Sequence, residues 1–265
     1  MFGTVVAVER PTPSLVRVVL AGQGLAGFAT PQGTDAYVNV AFPPAGAPYA
    51  APFDLDEVRE LPRELQPHRR RYTVRRFDPV DGHLTLELVV HGDAGVGGAW
   101  ARRVRLGDAL VLQGPSGTYR PDPDADWHLF AGDESALPAI AASLEAVPAG
   151  VPAVARIVVD GPAHEVPLAS PGALDLRWLH RGTATDPSRL LADAVRDLVV
   201  PPGRCHAFVH GEAGEIREVR RHLLGERGLA RTDLSCSPYW RRGHDDESWR
   251  QVKRAFLAEV ERDVA

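Results

Sequence analysis

The feature that most constrains this chain is a change of pattern near residues 121–126. Upstream, β-branched runs are short and separated by Pro, Gly and Asp. Downstream of Pro121-Asp122-Pro123, apolar runs alternate with segments of helical spacing. The upstream runs are Thr4–Val8 and Leu15–Leu20, around an Arg10-Pro11-Thr12-Pro13 turn, then Tyr37–Phe42, Tyr72–Phe77, His83–Val90 and Ala109–Gln113. Short strands with such turns predict an antiparallel barrel. Ala45–Gln66, rich in Pro, Ala and acids, reads as a long excursion or lid, and a short helix is expected from near Ala99 to Asp108. Downstream, strands at Trp127–Ala131, Val154–Val159, Leu174–Leu179, His206–His210 and Asp233–Trp240 alternate with helices at Glu134–Val147, Pro187–Leu198, Glu215–Leu224 and Asp245–Arg262. That alternation predicts βαβ units and a parallel sheet covered on both faces. A chain of 265 residues accommodates two domains, here 1–122 and 123–265.

Composition excludes several chemistries. Lys253 is the only lysine among 30 Lys+Arg, so Schiff-base catalysis by an internal lysine is all but ruled out. A net charge of −5 argues against a nucleic-acid scaffold. Cys205 and Cys236 alone can ligate neither an iron–sulfur cluster nor a structural zinc, and they make no disulfide framework. Any redox work must use a bound cofactor, and no metal site is expected. The chain enters a strand at once, without a leader pattern or a run near 18 apolar residues, which predicts a cytoplasmic protein without stable membrane insertion.

Four segments carry candidate chemistry. Arg70-Arg71-Tyr72-Thr73 opens a strand in which positions 70 and 72 share a face, suiting either a planar phosphate-bearing ligand or a surface cluster over a core Tyr. His91-Gly92 and Gly95 to Trp100 follow a strand and open a short helix, so their backbone N–H groups either approach an anion or form a plain flexible loop. Gly132-Asp133-Glu134-Ser135 is a strand-turn-helix at the end of the first parallel strand, where open α/β sheets bind ligands. Ser135 is placed to cap the helix, and an ordinary capped turn is equally consistent because Asp133 and Glu134 would repel phosphate. Tyr239-Trp240-Arg241-Arg242 ends the last strand, ready to stack a ring and bind an anion or to pack structurally.

Taken together and in order, these segments resemble the siderophore-interacting protein family, FAD-dependent ferric-siderophore reductases of the ferredoxin–NADP reductase superfamily. The resemblance runs through Arg70 to Thr73, His91-Gly92 with Gly95 to Ala101, Gly132 to Ile140, Trp178 to Arg181, Gly211-Glu212-Ala213 and Tyr239 to Gly243. It implies a six-stranded FAD-binding barrel followed by a parallel-sheet NAD(P)-binding domain, with NADPH or NADH reducing the flavin and the flavin reducing ferric iron. By that resemblance Tyr72 flanks the isoalloxazine, Thr73 hydrogen-bonds near flavin N5, and Arg70 with His91, Gly92, Gly97, Gly98, Ala99 and Trp100 holds the cofactor. Gly132, Asp133, Glu134, Ser135, Tyr239 and Trp240 then face the nicotinamide nucleotide, and Arg241 and Arg242 the anionic chelate. A reduced ferredoxin is an alternative donor, and a monomer is expected. Asn39 and Ser116 stand where the family commonly carries cations, Gly98 where it carries Ser, and Pro238 where Gly is common. Those departures leave open a different acceptor, or a chelate-binding module without catalysis. For the 2′ position of the nucleotide, His180, Arg181 and the Arg204 region suit a phosphate, whereas Asp160 suits a hydroxyl.

Overall fold

The computed structural model describes residues 1–90 and 95–263, which divide into two compact units, Met1–Tyr119 and Arg120–Ala265. In the first, strands β1 (Phe2–Thr12), β2 (Leu15–Ala21), β3 (Tyr37–Phe42), β4 (His68–Asp78), β5 (His83–Val89) and β6 (Ala109–Ser116) close an antiparallel barrel in the order β1-β2-β5-β4-β3-β6. The period of two selects its interior. Val16, Val18 and Leu20 of β2, Val38, Val40 and Phe42 of β3, Leu84, Leu86 and Leu88 of β5 and Leu110 and Leu112 of β6 form one buried cluster. The excursion between β3 and β4 contains helix α1 (Leu55–Arg59), whose N-terminus is capped by Asp54. Helix α2 (Val96–Arg103) crosses from β5 to β6, starting three residues before the expected position because Gly95, at φ +94°, turns the chain into it. The turn between the first two strands lies at Pro13-Ser14, since Pro11 and Thr12 are still in β1.

The second unit is a five-stranded parallel sheet of order β11-β10-β7-β8-β9. Its strands and helices run β7 (Trp127–Asp133), α3 (Leu137–Glu145), β8 (Pro152–Val159), β9 (Ala173–His180), α4 (Leu190–Arg196), β10 (Cys205–Glu212), α5 (Ala213–Arg221), β11 (Leu234–Trp240) and α6 (Asp246–Arg262). Central strand β7 is buried at every residue, as a strand covered on both faces must be. Leu129, Ala131, Val154, Val158, Val195, Ile216 and Val219 share one core cluster. The last helix buries Trp249, Phe256 and Val260 beside Ala213. The single lysine has a structural post on that helix: Lys253 Nζ donates to the Pro238 carbonyl at 2.6 Å and lies 5.8 Å from the Trp249 ring. No helix of the described residues is long and apolar enough to cross a membrane.

One expectation fails locally. Ser135 does not cap α3, which begins at Leu137 with Ala136 in the cap position and Pro138 in its first turn. The Ser135 hydroxyl turns back to Asp133 instead, because a buried carboxylate at the strand end competes for the same donor.

Candidate cofactor and nucleotide sites

In the barrel, β4 and α2 bring two of the sequence segments together. Tyr72 is half-buried and meets Phe42 edge-on, with ring centroids 6.3 Å apart, while Phe42 also contacts Trp100 at 5.9 Å. Trp100 is partly buried and packs against the barrel core. Gly97 is buried under Tyr72, and a Cβ built at position 97 would overlap the tyrosine hydroxyl. Only glycine lets the first turn of α2 approach the ring this closely. By contrast, a Cβ at Gly98 would have its nearest neighbours at 3.9 Å, so that position would accommodate a serine.

The start of α2 is built to receive an anion. Gly95 provides no side-chain cap, the first turn contains no acid, and the first intrahelical bond runs from Ala99 N to Gly95 O at 3.0 Å. The N–H groups of Val96, Gly97 and Gly98 therefore have no acceptor within the helix, and the helix dipole adds to their attraction for negative charge. At the other end, Arg10 donates to the carbonyl of Arg102 at 2.9 Å and of Ala101 at 3.3 Å, tying β1 to the helix C-terminus. On β4, Arg70 shares the Tyr72 face and donates to the Arg69 carbonyl at 2.9 Å, while Thr73 is buried opposite Tyr37. A half-buried ring, a close glycine turn and helix N–H groups without an intrahelical acceptor fit a flavin with its pyrophosphate. His91 and Gly92 lie outside the described residues.

The α/β unit gathers the other two segments at the carboxyl ends of its strands. Strand order reverses between β7 and β10, which is where such sheets form a ligand crevice. Gly132 is required there because a Cβ would overlap the His210 carbonyl on the neighbouring strand. Asp133, 2% exposed, accepts from Ser135 N at 2.8 Å, Ser135 Oγ at 2.5 Å, Glu212 N at 2.8 Å and Trp240 Nε1 at 2.8 Å. It thereby ties β7, β10 and β11 together. Glu134 forms a two-pronged pair with Arg181 at 2.7 and 2.6 Å, so neither carboxylate repels a ligand as a bare charge. Tyr239 packs on His210 with centroids 5.0 Å apart, and His210 stacks on Phe208 at 3.8 Å. Burial drives the His210 imidazole down to about 3, so it sits neutral among the rings.

Arg241 and Arg242 also have internal partners. The Arg241 guanidinium lies 5.3 Å from the Phe256 ring and 6.0 Å from that of Trp249, and Arg242 Nη2 donates to Glu215 at 3.1 Å. Glu212 and Glu215 join this network, Glu212 from the Gly211-Glu212-Ala213 segment and Glu215 from the first turn of α5. Glu212 caps α5 by accepting from Glu215 N at 2.9 Å and takes the Arg242 N–H at 3.1 Å. Burial, reinforced by Asp133 and Glu212, pushes the Glu215 carboxyl up to about 8. Desolvation also pushes both thiols, Cys205 and Cys236, up to about 12, which leaves them unreactive near neutrality.

Comparison with known proteins agrees with this architecture. Residues 4–119 match the siderophore-interacting FAD-binding domain, and residues 125–243 match the siderophore-interacting protein family. A ferric vibriobactin reductase, ViuB of Vibrio cholerae, is 34% identical over 93% of this chain and 91% of its own length. An NADPH-dependent ferric-chelate reductase of Escherichia coli is 29% identical over 84% of the chain and 86% of its own. The crystal structure of a siderophore utilization protein from T. fusca superposes with a TM-score of 0.79 at 36% identity, covering 93% of this chain and 94% of that one. Ferredoxin reductases at 13–15% identity share the fold. The chain belongs to the siderophore-interacting protein family, with an FAD-binding barrel and a ferredoxin reductase-like α/β unit.

Proposed function

We propose that this protein uses FAD to pass electrons from a reduced nicotinamide nucleotide to a ferric siderophore, releasing ferrous iron in the cytoplasm. The observation that carries the reading is the contact of Tyr72 with Gly97. It sets the uncapped start of α2 against an aromatic face, inside a region that matches a siderophore-interacting FAD-binding domain. In this reading residues 1–122 hold FAD and residues 123–265 the nucleotide. Bound FAD supplies conversion between a two-electron donor and a one-electron acceptor.

The protein's own residues bind and orient. Tyr72 flanks the isoalloxazine, Thr73 offers its hydroxyl near N5, and Arg70 with the backbone N–H groups of Gly97 and Gly98 holds the pyrophosphate, the Ala99 N–H being engaged by Gly95 inside the helix. Gly132, Asp133, Glu134, Ser135, Tyr239 and Trp240 form the rim of the nucleotide crevice. In the acceptor region, Asn39 lies directly opposite Arg71 in the β3–β4 register, and Arg69 donates to Gln113 at 2.9 Å on the adjoining strand. The barrel surface beside Asn39 thus keeps guanidinium groups for an anionic chelate, while Arg241 and Arg242 would bind one only in competition with their internal partners. The protein works as a monomer, with a reduced ferredoxin as an alternative electron source.

The test is reconstitution with FAD, anaerobic bleaching of the flavin band by a reduced nicotinamide, and addition of a ferric siderophore with a ferrous trap. Bleaching followed by trapped ferrous iron is expected. A protein that retains no FAD, or whose reduced flavin is reoxidised only by organic acceptors, refutes the reading.

A further inference from the structure

The cations that could recognise a 2′-phosphate on the nucleotide are already committed. At the carboxyl ends of β8 and β9, the ends toward which the crevice opens, Arg181 gives two nitrogens to Glu134 and bonds Asp160 Oδ1 at 2.7 Å. Its side chain is only 15% exposed. His180 is paired with Glu165 at 2.8 Å. Arg204 precedes β10 and so stands at the opposite, amino end of the sheet, where it bonds Asp122 at 2.5 Å and Asp233 at 2.8 Å.

A second concentration of guanidinium groups lines a cavity of about 470 Å³ between α4, α5 and α6, formed by Arg189, Arg196, Arg217, Arg221, Arg241 and Arg242. Those arginines are engaged as well. Arg189 and Arg196 pair with Asp193, Arg217 with Asp263, and Arg221 with Glu218. Arg241 lies over aromatic rings, and Arg242 is bonded to Glu215.

Asp160, immediately after β8, gives Oδ1 to Arg181 yet keeps a side chain 57% exposed, so it stays accessible to a ligand hydroxyl. Strand β8 is second in chain order and adjoins β7 on the side away from the crevice strand β10. In the dinucleotide-binding α/β sheets of the same strand order an acid at the end of the second strand accepts from the ribose 2′-hydroxyl, and by that analogy a phosphate here meets like charge.

Resting on the nucleotide-dependent reading above, we propose that the α/β unit selects NADH over NADPH, with Asp160 as the specificity-determining residue that accepts the adenosine 2′-hydroxyl. Asp160 acts twice in this scheme. It meets a 2′-phosphate with a carboxylate, and it shares Arg181 Nη1 with buried Glu134, which keeps that nitrogen from the phosphate.

The FAD-loaded protein is titrated with NAD⁺ and NADP⁺ by calorimetry at pH 7.5, and the same sample is reduced anaerobically with NADH or NADPH. NAD⁺ is expected to bind at least about tenfold more tightly than NADP⁺, a difference one poorly matched phosphate readily supplies. Asp160→Ser removes the repelling carboxylate and releases the Arg181 arm. It should lower the NAD⁺:NADP⁺ preference by about tenfold or more while leaving FAD affinity unchanged. NADP⁺ binding equal to or tighter than NAD⁺, or an Asp160→Ser variant with an unaltered preference, overturns the proposal. NAD⁺ binding with the expected preference but no bleaching by either reduced nucleotide supports the selectivity and refutes the reductase reading. Absence of binding by both nucleotides refutes both.

Discussion

The closest packing in the barrel site supplies a sharp perturbation. Gly97→Ala places a methyl group inside the Tyr72 hydroxyl, with Tyr72 Cζ at 3.2 Å and Phe42 Cε2 at 3.6 Å as its next neighbours. Phe42, which meets the Tyr72 ring edge-on with centroids 6.3 Å apart, is the packed neighbour that a shifted ring must accommodate. Overpacking of this kind costs about 1–3 kcal/mol. If the displaced ring is the one that flanks the isoalloxazine, FAD affinity falls roughly 5- to 150-fold. The steric origin is separable. Tyr72→Phe deletes the overlapping oxygen, and the closest atom becomes the ring carbon at 3.2 Å, a contact relieved by a shift of a few tenths of an ångström. The double variant Gly97→Ala/Tyr72→Phe should therefore bind FAD within about threefold of Tyr72→Phe alone. Equilibrium dialysis with flavin fluorescence measures all four constants. Gly97→Ala binding within about twofold of the parent, or a double variant no better than Gly97→Ala, would refute the packing argument.

Other consequences lie in the α/β unit. Glu215 titrates near 8 in the fold against an ordinary 4.5, so its stability contribution is full below pH 4.5 and is lost as the pH rises toward 8. At 1.36 kcal/mol per unit the loss by pH 7 has an upper bound of about 3 kcal/mol; Glu215→Gln should flatten this part of the pH dependence in denaturant unfolding, and an unchanged slope contradicts it. Arg181→Ala leaves buried Glu134 without its cation and should destabilise the unit by about 3–5 kcal/mol, whereas a loss under about 1 kcal/mol would mean the pair is not maintained in solution. Replacing Cys205 and Cys236 together by Ala should leave flavin bleaching intact, because both thiols are held near 12; loss of electron transfer in a folded, FAD-loaded variant would assign them a redox role.

The sequence pattern was most informative where periodicity and burial coincide. The alternation Val38, Val40, Phe42 and Leu84, Leu86, Leu88 marks the barrel interior, and the unbroken apolar run of β7 marks a central parallel strand. Tyr72 and the Gly97 turn are 25 positions apart, and their motifs suggested a shared site that the packing joins directly. Legibility failed where a long-range partner reassigns a side chain. Local spacing makes Ser135 a helix cap, but Asp133 takes its hydroxyl. The internal partners of Arg241 and Arg242, Phe256 on α6 and Glu215 on α5, are distant in sequence and do not show in the local motif. Asp133 and Glu134 read as repulsive to phosphate because Trp240 and Arg181, which satisfy them, come from β11 and from the turn after β9. Pro238 in place of the family's common glycine has no explanation in the fold.

The central claim is that electrons leave a nicotinamide and reach iron through FAD held by this chain, and it is tested most directly by an electron count. FAD-loaded protein is mixed anaerobically with a limiting amount of NADH, an excess of ferric siderophore and a ferrous trap, while nucleotide oxidation and flavin absorbance near about 450 nm are followed together. The expected result is about two trapped ferrous ions per nucleotide oxidised, with the flavin returning to its oxidised spectrum once the nucleotide is exhausted. Nucleotide oxidation without ferrous iron, or iron reduction that persists when FAD is removed, would contradict the account.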